Sequence, residues 1–72
     1  MSTFATRLKE ARKESGLSQE DASRQLDIRY STYRRYETGV TEPTVSIAAR
    51  MADLFAVSLD YLAGRTDEPL AK

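Results

Sequence analysis

Two short amphipathic stretches are joined by only about three residues, Asp27, Ile28 and Arg29, and this connection constrains the chain more than any other feature. Helices linked by so short a turn have no room to run antiparallel side by side. They cross steeply, and the second projects from the body of the domain. The rest of the sequence supplies helices for that pair to lean on. No stretch alternates apolar and polar residues as a half-buried strand would, whereas helical spacing recurs between Gly16, Gly39, Pro43 and Gly64.

Phe4, Leu8 and Ala11 share one face of a first helix of roughly three turns, closed by Gly16 as a left-handed cap. Ser18 is an N-cap for the next helix, with Glu20 and Asp21 in the first turn where the helix dipole favours acids. That helix turns Ala22 and Leu26 inward and stops at Asp27, a residue that tolerates left-handed backbone. Ile28 is the buried anchor of the turn, and a third helix spans 29–38 and ends at Gly39. Thr44 caps a fourth, whose inward stripe is Val45, Ala48, Met51, Ala52 and Phe55, and Ser58 caps a short fifth, 59–63, stopped by Gly64. The expected fold class is all-α, five helices in one domain over residues 1–64, with a loose polar tail over 65–72.

The third helix has a distinctive outer face. With Tyr33 pointing inward and ~100° per residue, Tyr36 falls ~60° to one side and Glu37 ~40° to the other. Ser31, Arg35 and Thr38 then point away from the body, Arg34 lies on the flank and Tyr30 near the start. Between Arg29 and Tyr36 there are three arginines and no acid. Guanidinium and hydroxyl groups in this arrangement suit phosphate oxygens, and an arginine fork matches the O6/N7 edge of guanine. An arginine-rich face taken alone is more often plain solvated surface. Charge distribution bears on the choice. The net charge is zero, which as a sum argues against a nucleic-acid partner. Residues 1–35, however, hold eight basic and five acidic side chains, and residues 36–72 hold three basic and six acidic. The chain is dipolar, and its basic pole contains the projecting helix.

Larger blocks of sequence carry a resemblance. Arg7-Leu8-Lys9-Glu10-Ala11-Arg12-Lys13, Gly16-Leu17-Ser18-Gln19-Glu20, Tyr36-Glu37-Thr38-Gly39 with Glu42-Pro43, Ala52-Asp53 and Val57-Ser58-Leu59-Asp60-Tyr61-Leu62 follow one another without insertion. This series resembles the lambda-repressor-like (Xre-type, Cro/repressor) helix-turn-helix family over about residues 4–64. The resemblance implies a five-helix domain that binds double-stranded operator DNA as a homodimer and regulates transcription, with repression the expected direction; the composition and the lack of a signal-peptide or membrane run make a cytoplasmic protein the expectation. It implies base readout by Arg29, Tyr30, Ser31 and Arg35, and phosphate contacts from Gln19, Arg34 and Thr38. It further implies a structural ion pair between Arg12 and Glu37, and a dimer surface around Pro43 and Tyr61. Val57, near that surface, is expected in the core.

Departures from the family pattern accompany these matches. Ala22-Ser23 replaces Leu-Ala, which implies a looser grip of the second helix on the third. Asp27 replaces the turn glycine. Arg29 stands where Ser or Thr caps the recognition helix, which implies a frayed first turn or a start shifted by one residue. Val40 replaces a common basic residue.

Other function classes are open to the same residues. A protein-interaction module, such as the antitoxin of a toxin–antitoxin pair, would use the acidic pole of Asp53, Asp60, Asp67 and Glu68. Enzyme activity is the least supported class. The chain has no Cys and no His, so disulfides, zinc knuckles and imidazole bases are excluded, and its acids are scattered. No cofactor, metal or small-molecule ligand is expected. Met1-Ser2-Thr3-Phe4 lacks a signal-peptide core and no apolar run approaches ~18 residues, so no membrane association is expected.

Overall fold

A computed structural model describes residues 3–70; positions 1–2 and 71–72, the ends of the expected domain and tail, lie outside the described residues. Five helices follow in order: α1 (Thr3–Glu14), α2 (Gln19–Leu26), α3 (Tyr30–Thr38), α4 (Val45–Phe55) and α5 (Leu59–Leu62). Their starts are chemically defined. The hydroxyls of Ser18, Thr44 and Ser58 accept from the backbone N–H of Asp21, Ile47 and Tyr61, respectively, which satisfies donors with no partner inside the helix.

The core joins Leu8 and Ala11 of α1, Ala22 and Leu26 of α2, Tyr33 and Tyr36 of α3, Met51, Ala52 and Phe55 of α4, and Leu62 of α5. Helix α3 packs against α1 and α2, and α4 closes the other side against α1, α2 and α5. Ser23 is buried, but its hydroxyl donates to the Glu20 carbonyl at 2.8 Å, so the polar group between α2 and its neighbours is not orphaned.

Four local expectations are corrected. Val45 is 75% exposed, because it opens α4 and helical side chains tilt toward the N-terminus, here past the end of the core. Ile28 is only half-buried, packed at the core margin. Helix α5 is a single turn ending at Leu62, with Ala63 as its C-cap. Residues 65–70 are not loose. Arg7 of α1 donates to the carbonyls of Tyr61 and Thr66, each at 2.6 Å, and to Asp67 Oδ1 at 2.8 Å, while Ser58 N–H donates to the Pro69 carbonyl at 2.8 Å. Gly64 allows this path: at φ +83° a side chain would be strained, and a Cβ would meet Thr3 Cγ2 at 3.0 Å.

Candidate nucleic-acid interface

The turn before α3 is held by backbone bonds. Asp27 adopts φ 58°, ψ 45°, and its N–H and that of Ile28 return to the carbonyls of Arg24 and Ser23 at 3.1 and 3.0 Å. The Arg50 guanidinium of α4 donates to the Leu26 carbonyl, which secures the end of α2 from below. Arg29 is the N-cap residue of α3 and makes no side-chain cap bond, so the helix begins one residue later than its expected start.

A buried ionic cluster anchors the other end. Glu37 has 2% of its side chain exposed and receives Arg12 Nε at 2.7 Å and Nη2 at 3.3 Å. Gln19 Nε2 donates to the same carboxylate at 3.0 Å, and Arg12 Nη1 donates to the Leu17 carbonyl at 2.9 Å. One carboxylate therefore ties α3 to α1, to the start of α2 and, through Arg12, to the turn between them. Burial pushes the Glu37 carboxyl up, but the donors around it, Arg12 foremost, outweigh burial and hold it below the usual carboxylate range. The Glu37 hydrogen bond raises the Arg12 guanidinium further, against burial. Tyr33 is fully buried beside this pair, and its hydroxyl makes no hydrogen bond of good geometry. Burial, and then the nearby Glu37 carboxylate, push its phenol up.

With that inner face pinned, Ser31, Arg34, Arg35 and Thr38 are exposed on the outside of α3, and Tyr30 is 42% exposed at its first turn. Gln19 is half-buried; one hydrogen of its amide nitrogen goes to Glu37 and the other remains for an outside acceptor. Thr38 Oγ1 donates to the Arg35 carbonyl at 3.1 Å, which leaves its lone pairs outward.

The arginines divide sharply. Arg7, Arg12, Arg24 and Arg65 are paired with Asp67, Glu37, Asp21 and Asp60, and Arg50 is bonded to a backbone carbonyl. Among the described residues, Arg29, Arg34 and Arg35 have no hydrogen bond or ion pair from their side chains; Arg34 only stacks on Tyr30, with Cζ 5.6 Å from the ring centroid. Every arginine fork left free thus sits on α3 or at its entry. Sequence reasoning did not single out Lys9 and Lys13. Both are exposed on α1 and flank, with Thr38, the groove between α1 and the end of α3. The signal for them was the basic run in α1 together with the absence of an ion-pair partner, and the second half of that signal is tertiary.

The two residues of the expected dimer surface are not brought into one groove. Pro43 lines a groove with Phe4, Val45, Ala48 and Leu59. Tyr61 packs at the core margin, lines a different groove and lies under the Arg7 guanidinium, 4.3 Å from Cζ to the ring centroid. Val57 packs against the core.

Comparison with known proteins follows the same lines. The chain is similar to the HTH-type transcriptional regulator ImmR of Bacillus subtilis (strain 168), 34% identical over 65 residues, which is 90% of this chain and 51% of that protein. It is 41% identical over 59 residues to the HTH-type transcriptional regulator AnsR of the same strain, covering 82% of this chain and 51% of AnsR. It is 34% identical over 64 residues to the cryptic phage CTXphi transcriptional repressor RstR of Vibrio cholerae serotype O1 (strain ATCC 39315 / El Tor Inaba N16961), covering 86% of this chain and 57% of RstR. The chain spans about half the length of the curated relatives it matches. Residues 8–62, from the first core leucine of α1 to the last residue of α5, match the family described as Helix-turn-helix, and the chain belongs to that family.

Proposed function

We propose that this protein is a DNA-binding transcriptional regulator, acting as a repressor in the cytoplasm, that places α3 in the major groove of double-stranded DNA. The observation that carries the reading is the set of partner-free arginines on a helix whose inner face is pinned by Glu37. Arg35 and Ser31 face the base edges with Tyr30 and Arg29 beside them. Gln19 and Thr38 meet phosphates, and Lys9 and Lys13 extend that contact along α1. The relatives' names, among them a transcriptional repressor, support the same role.

Two copies would bind as a homodimer, with recognition helices one helical turn of DNA apart, ~34–36 Å, on a pseudo-palindromic site. The groove of Phe4, Pro43 and Val45 supports a dimer contact there better than Tyr61 does, because the Tyr61 ring is already covered by Arg7. Selection of genomic fragments by the purified protein at two salt concentrations tests the reading. A recurring two-fold motif is expected, with total binding falling as salt rises. Absence of enrichment at low salt would refute it.

A further inference from the structure

The resemblance to the family implies a phosphate contact for Arg34, yet the structure gives that side chain a different setting. Arg34 stands one turn after Tyr30, and its guanidinium lies over the Tyr30 ring at 5.6 Å. Both residues are exposed, and among the described residues Arg34 has no ion pair and no hydrogen bond from its side chain. The contact with the ring engages the charge of the guanidinium and uses none of its N–H donors, which remain free. Recognition of guanine uses those donors, in plane and bidentate. The contact also draws the side chain back toward the first turn of α3. That turn is the end of a recognition helix from which base edges are read, whereas the flank meets the backbone.

We propose that Arg34 is a second base-reading arginine, held by the Tyr30 ring with its fork toward a guanine, and that Tyr30 acts chiefly as its brace. This rests on the reading that α3 enters the major groove. Tyr30 and Arg34 then specify one base pair jointly, while Arg35, with no ring beneath it, specifies another. The pairing costs nothing elsewhere in the fold, because neither side chain is in the core. A pre-stacked fork loses less rotamer freedom on binding than a free one.

The test compares site selection and salt-dependent binding to the selected duplex for the full chain and four variants. Arg34→Lys keeps the charge and removes the fork, Arg34→Gln removes both, Tyr30→Phe keeps the ring and Tyr30→Ala removes it. For Arg34→Lys, preference at one base pair is expected to flatten by about 5- to 150-fold, with the salt slope unchanged. Tyr30→Ala is expected to flatten the same base pair, and Tyr30→Phe to leave it intact. Unchanged selectivity in Arg34→Lys, together with a slope lower by about one and equal loss on all sequences in Arg34→Gln, makes Arg34 a phosphate contact and overturns the proposal. Loss of preference at a different base pair in Tyr30→Ala overturns the brace. If the unmodified protein enriches no sequence, the groove reading and this one fall together. Enrichment that Arg34→Lys leaves untouched removes this proposal alone.

Discussion

Replacing Glu37 by Ala should come close to unfolding the domain. The substitution removes the acceptor of two Arg12 bonds, at 2.7 and 3.3 Å, and of the Gln19 bond at 3.0 Å. It also strands an arginine whose side chain is only 11% exposed. Truncating one partner of such a buried pair costs about 3–5 kcal/mol. Arg12 keeps its bond to the Leu17 carbonyl, which favours the lower end, about 3 kcal/mol. A core of this size supplies about 3–5 kcal/mol in total, so little stability remains. With an m-value near 1 kcal/mol/M for so short a chain, the urea midpoint followed by far-UV circular dichroism should fall by about 3 M. The double variant Arg12→Met/Glu37→Leu should recover most of the loss, because apolar residues of similar volume replace a buried pair at little cost. Acid should probe the same contact. Glu37 titrates below its unfolded value of about 4.3, so its contribution is complete above that pH and is lost as pH falls through the folded value. Glu37→Gln should therefore have the flatter stability profile as pH falls below about 5. A midpoint shift for Glu37→Ala no larger than that of the exposed control Glu42→Ala would refute the reasoning.

Ala56 ends α4 at φ 58°, a conformation that costs an L-residue about 1–2 kcal/mol, so Ala56→Gly should raise the melting temperature by about 4 °C despite the entropy of glycine. Arg7→Met keeps the aliphatic stem but releases the carbonyls of Tyr61 and Thr66. Tryptic cleavage after Arg65 should accelerate about 5- to 10-fold while the cleavage sites within α4 stay protected. Arg35→Ala should relax preference at one base pair by about 1–3 kcal/mol in a binding-site selection, without loss of thermal stability.

Where information was local, the sequence was readable. Ser18, Thr44 and Ser58 announce three helix starts because a capping hydroxyl acts within three residues of itself. The outer face of α3 follows from one assumption about Tyr33, since helical periodicity carries direction along nine residues. Ala56 gave no warning. Its left-handed backbone is set by the return of its own N–H and that of Val57 to the end of α4, and alanine carries no turn chemistry of its own. The fold of residues 65–70 was hidden because their anchor, Arg7, is some sixty residues away in sequence. In the candidate interface, sequence placed the arginines of α3 outward. It did not show that they alone among the arginines are left without partners, since pairing depends on which acids the fold brings near.

That pairing explains how a chain of zero net charge can present a cationic helix. The fold does not merely separate a basic half from an acidic half. It brings Asp21, Glu37, Asp60 and Asp67 within bonding distance of arginines outside the outer face of α3, which leaves Arg29, Arg34 and Arg35 as uncommitted forks. Opposite charges only a few ångströms apart largely cancel at a distance greater than the ~10 Å screening length, whereas isolated guanidinium groups do not. On the proposed reading, the positive field offered to a duplex is that of the outer face of α3. It is local because the fold pairs four acids with other arginines, while acids with no ion pair among the described residues, such as Glu10, Glu14, Glu20 and Glu42, offset cations elsewhere. A small positive area gives weak attachment to DNA of any sequence, because affinity without specificity scales with the phosphates neutralised. Discrimination must then come from the edges that the α3 side chains reach. On the proposed reading, the functional weight of the molecule then lies on the orientation of one helix, and so on the buried carboxylate of Glu37 that pins it.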